Sequence, residues 1–190
     1  MKTPPYLRAS ELHPAMQRRP QVPFFLRPSD YRIVDGDTIM VLARSSAGAK
    51  REEAFRIRLY AVNSPEKPKS HATDSILRSI GIDPREGNPG HAATLYMRAL
   101  CRGRALFVEP RRNPDGKSVD RYGRLLADVA VSGAPGHDFL ADQALAVEPL
   151  LYRNGLGVLM QGRMLPPDVP DLVARLRDHL LAHRSEAPSF

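Results

Sequence analysis

Four short segments carry side chains from which phosphate chemistry can be built. They are Val34-Asp35-Gly36-Asp37-Thr38, Ile57-Arg58-Leu59, Asn63-Ser64-Pro65-Glu66 and Asp120-Arg121-Tyr122-Gly123-Arg124. Each alone has a plain explanation. Asp-Gly-Asp makes a turn. An arginine in a strand faces solvent, and Pro-Glu after a strand starts a loop. Asp-x-Tyr-Gly-Arg can end a hairpin with a surface ion pair of little worth. Together they match the needs of phosphodiester hydrolysis. That reaction requires positive charge on the non-bridging oxygens, a positioned water, and stabilisation of the phosphorane and the leaving oxygen. A planar guanidinium grips two phosphate oxygens at once. A carboxylate within hydrogen-bond reach orients a water, and a hard dication takes carboxylate and carbonyl oxygens.

The elements around these residues read as follows. Residues 1–30 hold six prolines with scattered arginines, which predicts an extended arm laid against the domain. Residues 31–43 read as two short strands bent at Asp35-Gly36-Asp37. From Phe55 to Val62 the pattern alternates, with Phe55, Ile57, Leu59 and Ala61 on one face and Arg56, Arg58 and Tyr60 on the other. Pro65 ends that strand. Residues 67–89 form a long polar connection with a short helix at 74–80. A clearer helix opens at Gly90, with Ala92, Leu95, Tyr96, Ala99 and Leu100 at helical spacing, and closes at Gly103. Strands follow at 105–109 and 125–131, then a helix capped by Asp138 and running through Leu145. A last helix carries Val169, Leu172, Val173, Leu176 and Leu180. Five strands with a helix after the third predict an α+β fold with a mainly β core. The expected form is a five-stranded OB-type Greek-key barrel with about three packed helices.

Composition narrows the setting. The 190 residues make one domain, expected over 31–185 behind the arm. Hydrophobic residues at 42% allow a real core. No apolar run approaches ~20 residues, which excludes a membrane-spanning helix. One cysteine, Cys101, excludes a disulfide framework, and it is expected in the core or at its boundary. The six histidines show no metal-site spacing; His179 and His183 form only a solvated i,i+4 pair. The net charge is +7 and the pI about 9.9, a field that attracts phosphates, although an arginine-rich composition alone could produce it. Asp35, Asp37 and Glu66 oppose that field in otherwise apolar or basic segments, and so say more than the net charge.

In order and approximate spacing the four segments resemble the staphylococcal nuclease (thermonuclease) family, over about residues 31–152. The resemblance implies an OB barrel with three helices and a calcium-dependent nuclease. It places Asp37 on the calcium-binding aspartate and Arg58 on the strand arginine at the scissile phosphate. Glu66 falls on the general base, and Arg124 on the arginine that stabilises the transition state and leaving group. The Ser64 carbonyl takes the place of a ligating threonine carbonyl. Asp35 and Asp120 stand behind the metal ligands. Arg121 and Tyr122 match residues around a bound terminal phosphate, and Tyr152 matches a tyrosine near the base pocket. The implied partner is single-stranded or frayed DNA, with RNA possible, bound by a monomer. Calcium is the expected metal, with magnesium as a substitute.

Two departures matter. Asn63 stands where the family has a second metal aspartate. Its amide oxygen can still meet a hard cation, but one negative charge is gone. Reduced activity, a changed metal preference and a silent nucleic-acid-binding module all remain open. Glu66 retained together with Arg58 and Arg124 favours the enzyme, since a carboxylate repels phosphate and a pure binder has no use for one beside its phosphate-binding arginines. The second departure is the connection at 67–89, longer than the family loop and carrying Lys67, Lys69 and Arg78. A tolerated surface insertion explains it better than an extension of the groove. No export signal is visible, so a cytoplasmic setting is expected, or a secreted or periplasmic one if a leader was removed.

Overall fold

A computed structural model describes residues 19–44, 51–65, 88–136, 139–140 and 143–165. The elements are β1 (Phe24–Leu26), β2 (Tyr31–Asp35), β3 (Thr38–Arg44), β4 (Arg51–Leu59), β5 (Val62–Asn63), α1 (Pro89–Cys101), β6 (Leu106–Pro110), β7 (Leu125–Val131), β8 (Leu145–Ala146), α2 (Val147–Arg153) and β9 (Val158–Leu159). The fold is α+β and mainly β. One mixed sheet runs β1-β6-β7-β4-β3-β2, with β8 added on β7, and β5 pairs β9 separately. Every pair is antiparallel except β4 with β7. Among the described residues this sheet of seven strands is open, where five strands closed into a barrel were expected.

Local chemistry explains most of these elements. In β4 the predicted inward set, Phe55, Ile57, Leu59 and the following Ala61, is buried, and Arg56 is exposed. Strand β7 is buried along its whole length because both its faces are covered. Residues 24–26 of the arm are extended as expected, and they pair with β6, sending Phe24 edge-on against Phe55 at 6.1 Å. Each such large side chain, fully buried, contributes about 1.5–3 kcal/mol.

Helix α1 begins where the side-chain oxygen of Asn88 accepts from the N–H groups of Gly90 (2.9 Å) and His91 (3.1 Å). Of the expected face, Tyr96 and Leu100 pack against the core and are partly buried, while the fully buried positions are others. Ala93, Thr94, Met97 and Cys101 point inward, while Leu95 is exposed. Small residues let the helix lie close on β2, and that close approach outweighs the gain from burying Leu95. Cys101 is a core residue, and burial pushes its thiol up to about 12.

The helix expected to run from Asp138 through Leu145 is not formed at its described end. Leu145 and Ala146 extend and pair with Val131 and Ala130, because the edge of β7 there offers ladder donors and acceptors. The helix starts only after them, at Val147, with Pro149 in its first turn. The short helix at 74–80 and the last helix at 169–180 lie outside the described residues, so two helices are seen.

Glu148 sits in the first turn of α2, fully buried, with its Oε2 3.4 Å from the Val129 N–H. Burial, and next the neighbouring Asp128, hold its pKa well above the ordinary value of 4.5. Asp128 itself faces Arg111 at 3.4 Å. A folded pKa raised above the unfolded one means that the folded state keeps its proton longer. The associated stability is complete below about pH 4.5 and is lost as pH rises through the folded pKa. Glu148→Gln is therefore expected to flatten that decline and to be more stable than the parent at pH 8. Urea unfolding of both proteins at pH 5 and pH 8 checks this; equal pH dependence in the two rejects it.

Candidate functional site

The turn between β2 and β3 is the first component. Gly36 leaves no room for a side chain: a Cβ there would lie 2.6 Å from the Ala93 Cβ and 2.8 Å from the Ser64 Cβ. Glycine thus lets the turn, α1 and the loop after β5 meet. Asp35 Oδ1 accepts from its neighbour Gly36 N–H (2.9 Å) and from the Thr94 hydroxyl (3.0 Å), tying the turn to α1. Asp37 turns the other way. Its Oδ2 accepts from the Ser64 N–H (2.7 Å) and hydroxyl (2.8 Å), and its Oδ1 from the Thr38 hydroxyl (3.0 Å).

Arg58 comes from the middle of the sheet, opposite Thr38 on β3 and Leu126 on β7. It points away from Ile57 and Leu59, as alternation predicts, yet it is only 6% exposed. Its guanidinium lies 2.9 Å from Asp37 Oδ2 and donates to the Val62 carbonyl (2.8 Å) and to Asn63 Oδ1. Burial lowers its pKa and the Asp37 charge opposes that shift. An arginine remains charged through such a change.

The third component is the loop 120–124. The Asp120 N–H donates to the Arg124 carbonyl (3.0 Å), and Gly123, at φ +75°, donates to the Asp120 carbonyl (3.0 Å). Glycine adopts that left-handed backbone without strain. Asp120 Oδ1 accepts from the Tyr122 and Arg124 N–H groups (both 2.9 Å). Its Oδ2 takes the Arg124 Nε at 2.7 Å, which aims the rest of the guanidinium at the Thr38 hydroxyl, 3.2 Å away.

These parts enclose one open cavity of about 620 Å³. Asp35, Asp37, Arg58, Asn63, Ser64, Asp120, Arg121, Tyr122 and Arg124 all line it. Glu66 lies outside the described residues, as do Lys67, Lys69 and Arg78. Tyr152 is on an exposed part of α2 and does not line the cavity. Thr38 and Arg163 are among the lining residues that had no role assigned from sequence. Thr38 links Asp37 to Arg124 by its hydroxyl, a link that depends on β3 and the loop coming together. Arg163 reaches the cavity while lying over the Tyr60 ring (4.6 Å). A lone arginine after a Gln-Gly turn carries no sequence signal for this.

The oxygens of Asp37, Asn63 and Ser64 are the hard donors that calcium takes. Their surroundings do not fit one. The Arg58 guanidinium spans Asp37 and Asn63, the two side chains assigned to the ion, and Ser64 fills the same Asp37 oxygen. Among the described residues no three acidic, histidine or cysteine side chains converge. One carboxylate already paired with a cation supplies too little negative charge for a resident dication. Among the described residues, no helix is long and apolar enough to cross a membrane. Comparison of the chain with protein-family models and with curated proteins finds no match.

Proposed function

We propose that this chain binds single-stranded nucleic acid in the cavity and hydrolyses its phosphodiester bonds, as a relative of the staphylococcal nuclease family. What carries this reading is the convergence of Asp37, Arg58, Ser64 and Arg124, distant in sequence, on one cavity. The OB-type reading of the sheet belongs to the same proposal. The order β2-β3-β4-β7-β6, with β4 parallel to β7, supports it.

In this mechanism the scissile phosphate lies between Arg58 and Arg124. Glu66 orients a water for in-line attack, so that the water oxygen bonds to phosphorus as the bond to the 5′-oxygen breaks. The two guanidiniums neutralise charge growing on the phosphoryl oxygens. A 3′-phosphate end results, by resemblance to the family. The bridging of Asp37 and Asn63 by Arg58 favours a second reading, a module that binds the strand without cutting it.

Incubation with single-stranded DNA and calcium, magnesium or chelator separates the two. Degradation that persists in chelator supports the enzyme as proposed, and degradation only with a metal would mean that an ion displaces Arg58 from Asp37 and Asn63. Retarded but intact DNA supports the binder, and neither effect ends both readings. Asn63→Asp adds a second carboxylate beside Arg58. With that charge a calcium ion that the parent does not hold is expected to bind between residues 37 and 63. Calorimetric titration of the parent and the variant with calcium measures this, and no binding by the variant rejects it.

A further inference from the structure

We infer that Arg163 forms a phosphate subsite beside the scissile position, holding the strand by one phosphate more than Arg58, Arg124 and the 120–124 loop account for. The inference rests on the proposal that this cavity takes nucleic acid. The ligand class is a strand with several consecutive phosphates, not a single phosphodiester.

The chain after β9 brings Arg163 to the cavity. Strand β9 pairs with β5, and the Met160 N–H continues that ladder by donating to the Ala61 carbonyl (2.8 Å). The chain then turns at Gly162, and the Arg163 N–H donates to the Met160 carbonyl (3.0 Å). The turn lays the Arg163 guanidinium over the Tyr60 ring, 4.6 Å from its centroid, and its Nη1 donates to the Tyr60 carbonyl (2.5 Å). Arg58 holds the end of the same segment, through the Val62 carbonyl and Asn63. Two guanidiniums therefore grip the stretch 60–63, and both line the one cavity.

An arginine with a purely structural role would have its donors filled by such contacts. A guanidinium carries five N–H donors, and the Tyr60 carbonyl takes one of those on Arg163. Among the described residues no carboxylate meets it. Its neighbours differ in this respect. Arg58 is matched by Asp37 and Arg124 by Asp120. Arg111 lies over the same Tyr60 ring at 5.5 Å, and it faces Asp128 at 3.4 Å. Around the cavity, the guanidiniums of Arg58, Arg121, Arg124 and Arg163 outnumber the carboxylates of Asp35, Asp37 and Asp120. The field of Arg163 is felt at the scissile position. Burial is the first cause of the lowered Arg58 pKa, and the charges of Arg124 and Arg163 push the same way. A phosphate beside Arg163 relieves that repulsion and accepts two parallel N–H bonds from the planar group.

The test is fluorescence anisotropy with a labelled ten-residue oligothymidylate at several salt concentrations, in chelator. The reference is the full chain carrying Glu66→Gln, which is expected to leave the probe uncut. Adding Arg163→Gln removes the charge and keeps an amide donor for the Tyr60 carbonyl. It should weaken binding about tenfold and reduce the salt slope by about 0.7, the value for one phosphate contact on a single strand. Arg163→Lys should regain the slope but only part of the affinity, because it restores the charge without the fork. A slope unchanged in Arg163→Gln, or lost equally in Arg163→Lys, overturns the subsite, since a role in shaping the turn would not follow the charge. A second measurement needs no substitution at residue 163. Phenylglyoxal modifies accessible guanidiniums, and mass spectrometry of the reference chain reads Arg163 directly. Saturating oligothymidylate should protect it, and modification at an undiminished rate overturns the subsite while the reading of the cavity stands. A reference chain that binds no oligothymidylate overturns the subsite together with the reading beneath it.

Discussion

Arg58→Met is expected to destabilise the protein by about 3–5 kcal/mol, because it leaves Asp37 as a buried carboxylate without its cation. Asp37 is 7% exposed and its Oδ2 lies 2.9 Å from the guanidinium. The hydrogen bonds from Ser64 and Thr38 would remain, but they are neutral donors and do not replace a charge. For a chain of this size the loss corresponds to a fall in Tm on the order of 10 °C. Val62 and Asn63 would lose their donor as well, which loosens the chain entering the Ser64 loop. The double variant Arg58→Met with Asp37→Asn removes both charges and should recover much of the stability. Urea unfolding of the two single variants and the double variant measures the coupling. A coupling near zero would mean that the pair is not a buried unit. Neither single variant is expected to cut DNA, since each lacks a proposed phosphate-facing group or its support.

Arg124→Ala should have the opposite profile, a large loss of cleavage with little loss of stability. Removing one positioned donor from a developing phosphoryl charge costs about 10²–10³-fold in rate. The side chain is partly exposed, and its bond to Asp120 is an ion pair of the kind worth about 1 kcal/mol or less. Asp120 keeps the loop shaped through the Tyr122 and Arg124 N–H groups, which the substitution does not touch. Arg124→Lys retains the charge but not the fork that reaches both Asp120 and Thr38, so it should recover only part of the rate. Single-turnover cleavage of single-stranded DNA, read beside thermal unfolding, tests this. A variant that cuts at the parental rate removes Arg124 from the mechanism. One that binds DNA normally without cutting would agree with a role confined to the transition state.

Which residues line the cavity was partly legible because its local pieces announce themselves. Asp35-Gly36-Asp37 and Asp120 to Arg124 are turns whose shape follows from side chains a few residues apart. Alternation in β4 predicts which way Arg58 points. Tyr152 was weaker, placed across Pro149 with nothing local to hold its register, and it lies outside the cavity. Arg163 was invisible because its place depends on resting over Tyr60, more than one hundred residues earlier. The face of α1 was read correctly at Tyr96 and Leu100, which pack against the core, but not at Leu95. Hydrophobic spacing alone favours Leu95, whereas the turn at Gly36 approaches the helix at Ala93 and Thr94, where only small side chains fit.

By itself the sequence determined the short-range features: the turns, the strand faces, the start of α1 and the set of charged groups. These follow from backbone preferences and side-chain periodicity, which act within one turn or one strand. Tertiary structure decided which charges meet. It buried Arg58 between Asp37 and Asn63, set Thr38 between Asp37 and Arg124, and drew Leu145 and Ala146 out of a helical pattern onto β7. Pairing between distant segments has no local signature. A buried donor takes whichever acceptor the folded chain brings within reach.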